Sequence, residues 1–254
     1  TALPTLRSPQ VIVCAILRHE EQYIDEWLRY FQYMGFDSVH LYDNADVPSR
    51  YLASLDMVYG SFVTVTPFPG IQRQNAAYSH CAGRFKKNNT WAAMLDADEF
   101  IVLRKHKSIK EFLADVAPKG GSVVLNWAFM GNNGMKTRGP GPVTSRFTFT
   151  TRNLNKMVKS ITYVGHAAWF SPHNGRLLPG YPKVDVLGRA VPNIDSDWAN
   201  NTGCRKVAYL NHYFTKSLEE FVQKKRRGRA AKPGRGNPEN ISMHEIEALF
   251  SVYS

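Results

Sequence analysis

The 254-residue chain has no uninterrupted apolar run of about 18 residues, the length a helix needs to cross a bilayer, so no segment reads as membrane-spanning. It has only three cysteines, Cys14, Cys81 and Cys204, far apart and odd in number. That argues against a disulfide framework, and the lack of a Cys-x-x-Cys pair removes the usual thiolate zinc site. Cys14 lies in an apolar run and is expected to be a small core residue. No internal repeat is present. No glycine follows the first strand-like run, where Leu17-Arg18-His19-Glu20 stands, which counts against a glycine-rich phosphate loop.

Acid is also in short supply: 21 Asp and Glu face 32 Lys and Arg, a net charge of +11. Such an excess suits nucleic acid, an anionic membrane surface or an anionic small ligand. Much of it lies in Lys224-Lys225-Arg226-Arg227-Gly228-Arg229, with Lys232 and Arg235 beyond. A run of this kind is usually a solvated face or a loose tail; peripheral contact with an anionic surface is the sharper alternative. The rest is ordinary for a globular chain, 43% hydrophobic and 12% aromatic, and long enough for one large core. The first residue is Thr1 rather than Met, so a trimmed chain with an upstream anchor is one expectation. Asn88-Asn89-Thr90, Asn200-Asn201-Thr202 and Asn240-Ile241-Ser242 match the glycosylation acceptor pattern, a weak pointer to a secretory compartment.

The first half alternates apolar runs with helical patterns. Val11 to Leu17 is a buried-strand candidate, after which Tyr23, Ile24, Trp27, Leu28, Phe31 and Met34 repeat at helical spacing up to Gly35. Strands are expected at 38–42, 62–65 and 91–95, with helices at 51–57 and 72–86 between them. This alternation implies an α/β fold, Rossmann-like, with a mostly parallel central sheet flanked by helices and ligands at the carboxyl ends of its strands. In the second half, strands at 122–129, 146–150, 157–163 and 208–214 are separated by polar loops rich in Gly and Pro. Ser217-Leu218-Glu219-Glu220 and Ser242-Met243-His244-Glu245 have capping-box form and start two closing helices, with a linker-like stretch from Lys232 to Asn240 between them.

Asp96-Ala97-Asp98 carries the sharpest chemical signal. It follows the apolar run Trp91-Ala92-Ala93-Met94-Leu95 and precedes Glu99-Phe100-Ile101. In an extended segment, residues two apart point the same way, so both carboxylates would reach one hard cation. Magnesium and manganese suit oxygen donors and commonly bridge carboxylates to substrate phosphates. The plain alternative is an acidic loop capping the next helix. Downstream, in Asn211-His212-Tyr213-Phe214-Thr215-Lys216, a neutral His212 would complete a manganese shell, although a lone histidine in an apolar strand is more often a core residue. Lys216 stands just ahead of a capped helix and would balance phosphate charge.

Four segments, taken in order, look like a known family: Arg18 to Leu28 leading to Gly35-Phe36 and Tyr42-Asp43-Asn44; Gln72-Arg73-Gln74-Asn75-Ala76-Ala77-Tyr78; Trp91 to Phe100; and Asn211 to Ser217 with Glu219-Glu220-Phe221 and Lys225 to Gly228. Together they resemble glycosyltransferase family 92 and its close relatives among the family-2-like GT-A enzymes. The resemblance implies one GT-A domain over 1–254, with a nucleotide-binding half at 1–103, an acceptor-binding half at 104–216 and C-terminal helices with a basic tail at 217–254. It implies manganese or magnesium, and transfer of a hexose or similar sugar from a nucleoside-diphosphate donor, UDP foremost, to a hydroxyl of a glycan or glycoprotein, with inversion. By position, Asp43, Asn44, Gln72 and Gln74 would meet the nucleotide. Asp96, Ala97 and Asp98 match the metal–diphosphate motif, and His212 and Lys216 the C-terminal metal and diphosphate contacts. Trp127-Ala128-Phe129-Met130-Gly131-Asn132-Asn133-Gly134 resembles the stretch near the sugar, which nominates Trp127, Gly131, Asn132 and Asn133. Two departures stand out: His19-Glu20 where the family usually has Asn-Glu, and Tyr30-Phe31 where it often has Tyr-His.

An inverting reaction needs an acceptor base opposite the leaving group. Asp185, Asp195 and Asp197 are the candidates, each with the plainer role of a loop or capping acid. His166 and His173 are candidates for the acceptor cleft, Trp127, Trp169 and Trp198 for stacking on sugar rings, and Glu99 for pairing with a nearby basic residue. A nucleotidyl- or phosphoryl-transfer enzyme would also use Asp-x-Asp with magnesium, but the glycine-free loop after the first strand speaks against it. A nucleic-acid-binding module using the basic tail would leave Asp96, Asp98 and His212 without a role, so no nucleic-acid partner is expected. A Golgi lumen and the cytoplasm of a bacterium or virus-infected cell both fit this reading.

Overall fold

The computed structural model describes residues 8–192, 199, 203–227 and 242–252. Asp195, Asp197, Trp198, the Asn200 and Asn240 acceptor positions and the 232–240 stretch lie outside the described residues.

Strand β1 (Gln10–Leu17) is apolar almost without a break because both of its faces are covered. Val11, Val13, Ala15 and Leu17 join one core layer, and Ile12, Cys14 and Ile16 the other. The first layer is built on α1 (Glu21–Tyr33), whose Ile24, Trp27, Leu28 and Phe31 are wholly buried at helical spacing. Each such side chain contributes roughly 1.5–3 kcal/mol through burial. The helix ends where Gly35 takes a left-handed φ of 84°, which glycine adopts without a Cβ clash.

The chain continues through β2 (Ser38–Asp43), α2 (Arg50–Ala53), α3 (Leu55–Tyr59), β3 (Val63–Pro67), α4 (Gln74–Phe85) and β4 (Thr90–Met94). The single helix expected over 51–57 is split at Ser54, whose hydroxyl bonds back to the Tyr51 carbonyl. These strands lie in the order β3-β2-β1-β4, all parallel, so the chain moves outward from β1 and then returns to its other side. That reversal between β1 and β4 is where loops part and a crevice forms. Helix α4 covers the second face with Ala77, Tyr78, Cys81 and Ala82.

This packing overturns the expectation for the cysteines. Cys14 and Cys81 form a disulfide with Cα atoms 6.3 Å apart, and Cys204 is free. Alternation along β1 aims Cys14 at the buried face of α4, a meeting that two positions 67 residues apart do not reveal by spacing.

The second half supplies β5 (Glu99–Leu103), α5 (Ile109–Val116), β6 (Ser122–Phe129), α6 (Val143–Arg146) and β7 (Val158–Tyr163). It continues with β8 (Ala167–Phe170), β9 (Gly175–Leu177), β10 (Lys183–Val184) and β11 (Ala208–His212). The sheet extends as β4-β7-β6-β11-β5, with β10 also on β6, while β8 and β9 pair separately. Strands β7 and β5 run against the rest, so β1, β4, β6 and β11 all end at one edge and β7 and β5 start there.

The strand expected at 146–150 does not form. Pro142 leads instead into α6, whose Val143 and Thr144 amides and Thr144 hydroxyl donate to the Glu26 carboxylate of α1. A carboxylate there satisfies amides that a helix start leaves open. The closing helices α7 (Leu218–Arg226) and α8 (Met243–Ser251) both begin with the expected capping boxes. No helix among the described residues is long and apolar enough to cross a membrane.

Thiol titration in denaturant should find one reactive cysteine in never-reduced protein and three after reduction. Three reactive thiols without reductant would show the Cys14–Cys81 pairing to be wrong.

Candidate active site

Where β1, β4, β6 and β11 end, a cleft of about 420 Å³ opens, as expected at the carboxyl edge of such a sheet. Its lining includes charged groups, Arg18 and Glu20 after β1, Asp96 and Asp98 after β4, Lys224 of α7 and Arg227 just after it. Aromatic rings join them: Trp127 and Phe129 of β6, His212 and Phe214 at the end of β11, and His173 from the β8–β9 loop. Backbone strain gathers around it. His19, Gln72 and Lys216, in the loops leaving β1, β3 and β11, hold left-handed φ of 52°, 55° and 57°. Each costs on the order of 1 kcal/mol and persists only where the surroundings fix it.

Asp96-Ala97-Asp98 is a turn rather than the extended segment expected. The Glu99 amide donates to the Asp96 carbonyl at 3.0 Å, and the Asp96 amide to the Glu99 carboxylate at 2.9 Å, so the chain folds straight back into β5. The turn gives the two carboxylates different partners. Asp96 accepts from Gln74 at 3.3 Å and Lys159 at 3.1 Å. Asp98, 2% exposed, pairs with Lys224 and lies 3.5 Å from His212 Nε2 and 3.8 Å from Lys216 Nζ.

Burial opposes ionisation of Asp98, but Lys224, His212 and Lys216 together hold its pKa well below the usual carboxylate range. Burial lowers Lys216 to about 8, against the pull of Asp98, and it also lowers His212. An imidazole and a carboxylate, here 3.5 Å apart, are donor types that manganese takes. The His212 Nδ1 is buried without a hydrogen-bond partner among the described residues. Asp96 does not complete the expected triad: among the described residues, no three His, Cys, Asp or Glu side chains converge on one point. The other ligands of an ion at Asp98 and His212 would be water and phosphate oxygens, as magnesium and manganese commonly take.

Of the other expected contacts, Gln74, Trp127 and His173 line the cleft. The Trp127 ring lies 5.3 Å from that of His173 and 4.2 Å from that of His212, and its Nε1 is buried with no hydrogen-bond partner among the described residues. Ala97 is buried and Gln72 exposed. Asp43 and Asn44 turn into their own loop: Asp43 accepts from the Ala45 and Ser49 amides, and Asn44 donates to the Phe68 and Gly70 carbonyls. The Gly131 amide donates to Phe149, Asn132 bonds to Phe250 and Gly134, and Asn133 donates to Arg146, so these three build a loop and do not line the cleft. His166 stacks on Tyr181 at 3.6 Å and accepts from the Gly121 amide, before the start of β6 and away from the cleft. Asp185 is buried beside β10 and accepts from the Leu187 and Arg189 amides and the Arg189 guanidinium. Because β10 pairs with the first residues of β6, Asp185 sits at the opposite edge of the sheet and is a loop acid. Short polar side chains that satisfy a loop have the same sequence signature as those aimed at a ligand.

Lys224 and Arg227, expected on a solvated face or tail, reach into the cleft. Lys224 donates to Asp98 and to the Phe214 carbonyl, and Arg227 pairs with Glu20 at 2.6 Å and donates to the His19 carbonyl. Their spacing of three on a capped helix puts them on one face with Phe221, which was the signal available in the sequence. Lys159 of β7, 1% exposed, bridges Asp96 and Glu99 and is the basic partner expected for Glu99. Burial drives the Glu99 carboxyl up to about 8, with Lys159 working in the other direction.

Glu220 fixes the Lys216 loop and α7 together. It accepts from the Ser217 amide and hydroxyl, the Tyr23 hydroxyl and both terminal nitrogens of Arg146. Burial opposes its ionisation, but Arg146 and Ser217 bring its pKa down to about 2.

Residues 10–162 match the model of glycosyltransferase family 92. A glycosyltransferase family 92 protein of Arabidopsis thaliana is 28% identical over 101 residues, and one of Oryza sativa subsp. japonica is 26% identical over 117. These matches cover 39% and 44% of this chain but 17% and 20% of the relatives, so the chain spans about a fifth of their length. Among solved structures, Staphylococcus aureus TarS 1–349 in complex with UDP is similar over 96% of this chain and 70% of that one, at 14% identity and a TM-score of 0.42.

The folded-state pKa of Glu220 lies below the ordinary 4.5, so its contribution to stability is full above that value and is lost as pH falls towards about 2. Chemical denaturation across this range should show wild type losing on the order of 3 kcal/mol that Glu220→Gln does not lose. Parallel acid limbs for the two proteins would contradict the assignment.

Proposed function

The chain belongs to glycosyltransferase family 92, and we propose on that basis that its cleft transfers a sugar from a nucleoside diphosphate, UDP foremost, to a glycan hydroxyl. The observation that carries this reading is the buried, ionised Asp98 held among His212, Lys216 and Lys224 at the carboxyl edge of the sheet. It offers a fixed anion for a cation and ammonium groups for a diphosphate.

In this reading Lys216 and Lys224 meet the charge that builds on the diphosphate as the glycosidic bond breaks, so their benefit belongs to the transition state. Lys216 is set in place beforehand by its left-handed backbone and by the Tyr23 ring, 4.5 Å from its ammonium. Asp98 and His212 would hold manganese or magnesium, which when bound supplies Lewis-acid stabilisation of phosphate oxygens. Also in the lining, the Trp127 ring and its Nε1, which has no hydrogen-bond partner among the described residues, suit a sugar face and one of its hydroxyls. Asp185 is withdrawn as the acceptor base by its place at the far edge of the sheet.

Release of nucleoside diphosphate from a panel of nucleotide sugars, with and without manganese, tests the proposal. Wild type should turn over one donor with stimulation by the metal, and Asp98→Asn should be slower by about a hundredfold. An Asp98→Asn variant as fast as wild type would sink this assignment of the site.

A further inference from the structure

We propose that Lys159 is the positioning residue of this site: from behind the cleft it fixes the Asp96 carboxylate in the orientation that meets the donor. The inference rests on the transferase reading above. Lys159 lies near the start of β7, two residues before Ile161, and Ile161 pairs with Ala93, three residues ahead of Asp96. The antiparallel register therefore brings the lysine up behind the turn that follows β4. Its ammonium lies 3.1 Å from Asp96 Oδ2 and 3.0 Å from Glu99 Oε2, and the same Glu99 oxygen accepts the Asp96 amide at 2.9 Å. Cation, carboxylate and amide thus close a ring on the turn. Its far side is anchored by the Trp27 indole donating to the Glu99 carbonyl and by the Tyr213 amide donating to the Asp98 carbonyl.

Of this ring, Asp96 alone lines the cleft; Lys159 and Glu99 are buried behind it. With Oδ2 held by Lys159, the other oxygen of Asp96 is left to Gln74 Nε2, which also lines the cleft. An ammonium is an expensive way to fill space in a core, since an apolar side chain of similar volume would pack there without desolvating a charge. What the ammonium adds is direction: it fixes which way a half-exposed carboxylate points.

Removing Lys159 alone leaves Glu99 and Asp96 facing one another in a buried site, so Lys159→Met is expected to lose stability for reasons unrelated to turnover. The double variant Lys159→Met/Glu99→Gln removes the ammonium and the titratable carboxyl behind the turn and keeps an acceptor for the Asp96 amide. Its unfolding midpoint should return close to wild type, while kcat/KM for the donor stays at least tenfold down and the acceptor KM is unchanged. Its crystal structure should show the Asp96 side chain turned away from Gln74. A double variant that recovers donor kcat/KM together with its midpoint, or that keeps Asp96 in the wild-type rotamer, would overturn the proposal. If wild type itself turns over no donor, the transferase reading fails, and the position of Asp96 in the double variant still decides what Lys159 does.

Discussion

A carboxylate taken out of water has to be met by cations, and the carboxyl edge of this sheet is arranged to meet Asp98. Four separate pieces of chain come to it. The turn after β4 brings Asp98 itself, the end of β11 brings His212, the strained residue before α7 brings Lys216, and the exposed-looking run within α7 brings Lys224. Each depends on something further back. The capping box and Glu220 hold α7 against α1 and α6, so that Lys224 arrives at the right depth. The return of β4 to the side of β1 opposite β2 opens the crevice in which the groups meet.

The same constraint acts twice on one turn. Asp98 faces forward and is balanced by groups of the cleft, whereas Glu99 faces back and is balanced by Lys159. Neighbouring acids with opposite surroundings are pushed apart in pKa, Asp98 downward by its cations and Glu99 up to about 8 by burial. A short acidic segment is thereby divided into a charged front, where a ligand would bind, and a structural back.

What the sequence made legible follows from how local each signal is. The unbroken apolar run of β1, the stripe of α1 and the capping boxes of α7 and α8 are written within a dozen residues, and all formed as expected. Family 92 was legible for a related reason: the segments that carry the resemblance lie on or follow β1, β3, β4 and β11, whose patterns are local. The Cys14–Cys81 bond and the Lys159 ring depend on which strand face meets which helix and on antiparallel register, and neither is written in spacing. Asp43, Asn44, Asn132 and Asn133 close turns, and a side chain that closes a turn looks the same in sequence as one reserved for a ligand. Lys224 departs in the other direction. Its basic neighbours made a solvated tail the natural reading, while the helical spacing that faces it inward was the weaker cue.

The groups around Asp98 are proposed as the seat of a donor diphosphate, and a crystal soaked with UDP and manganese tests that assignment. Diphosphate oxygens should lie within hydrogen-bonding reach of Lys216 and Lys224, with Lys224 released from Asp98 and a cation held by Asp98 and His212. Diphosphate bound elsewhere while the Lys224–Asp98 pair stays intact would contradict it.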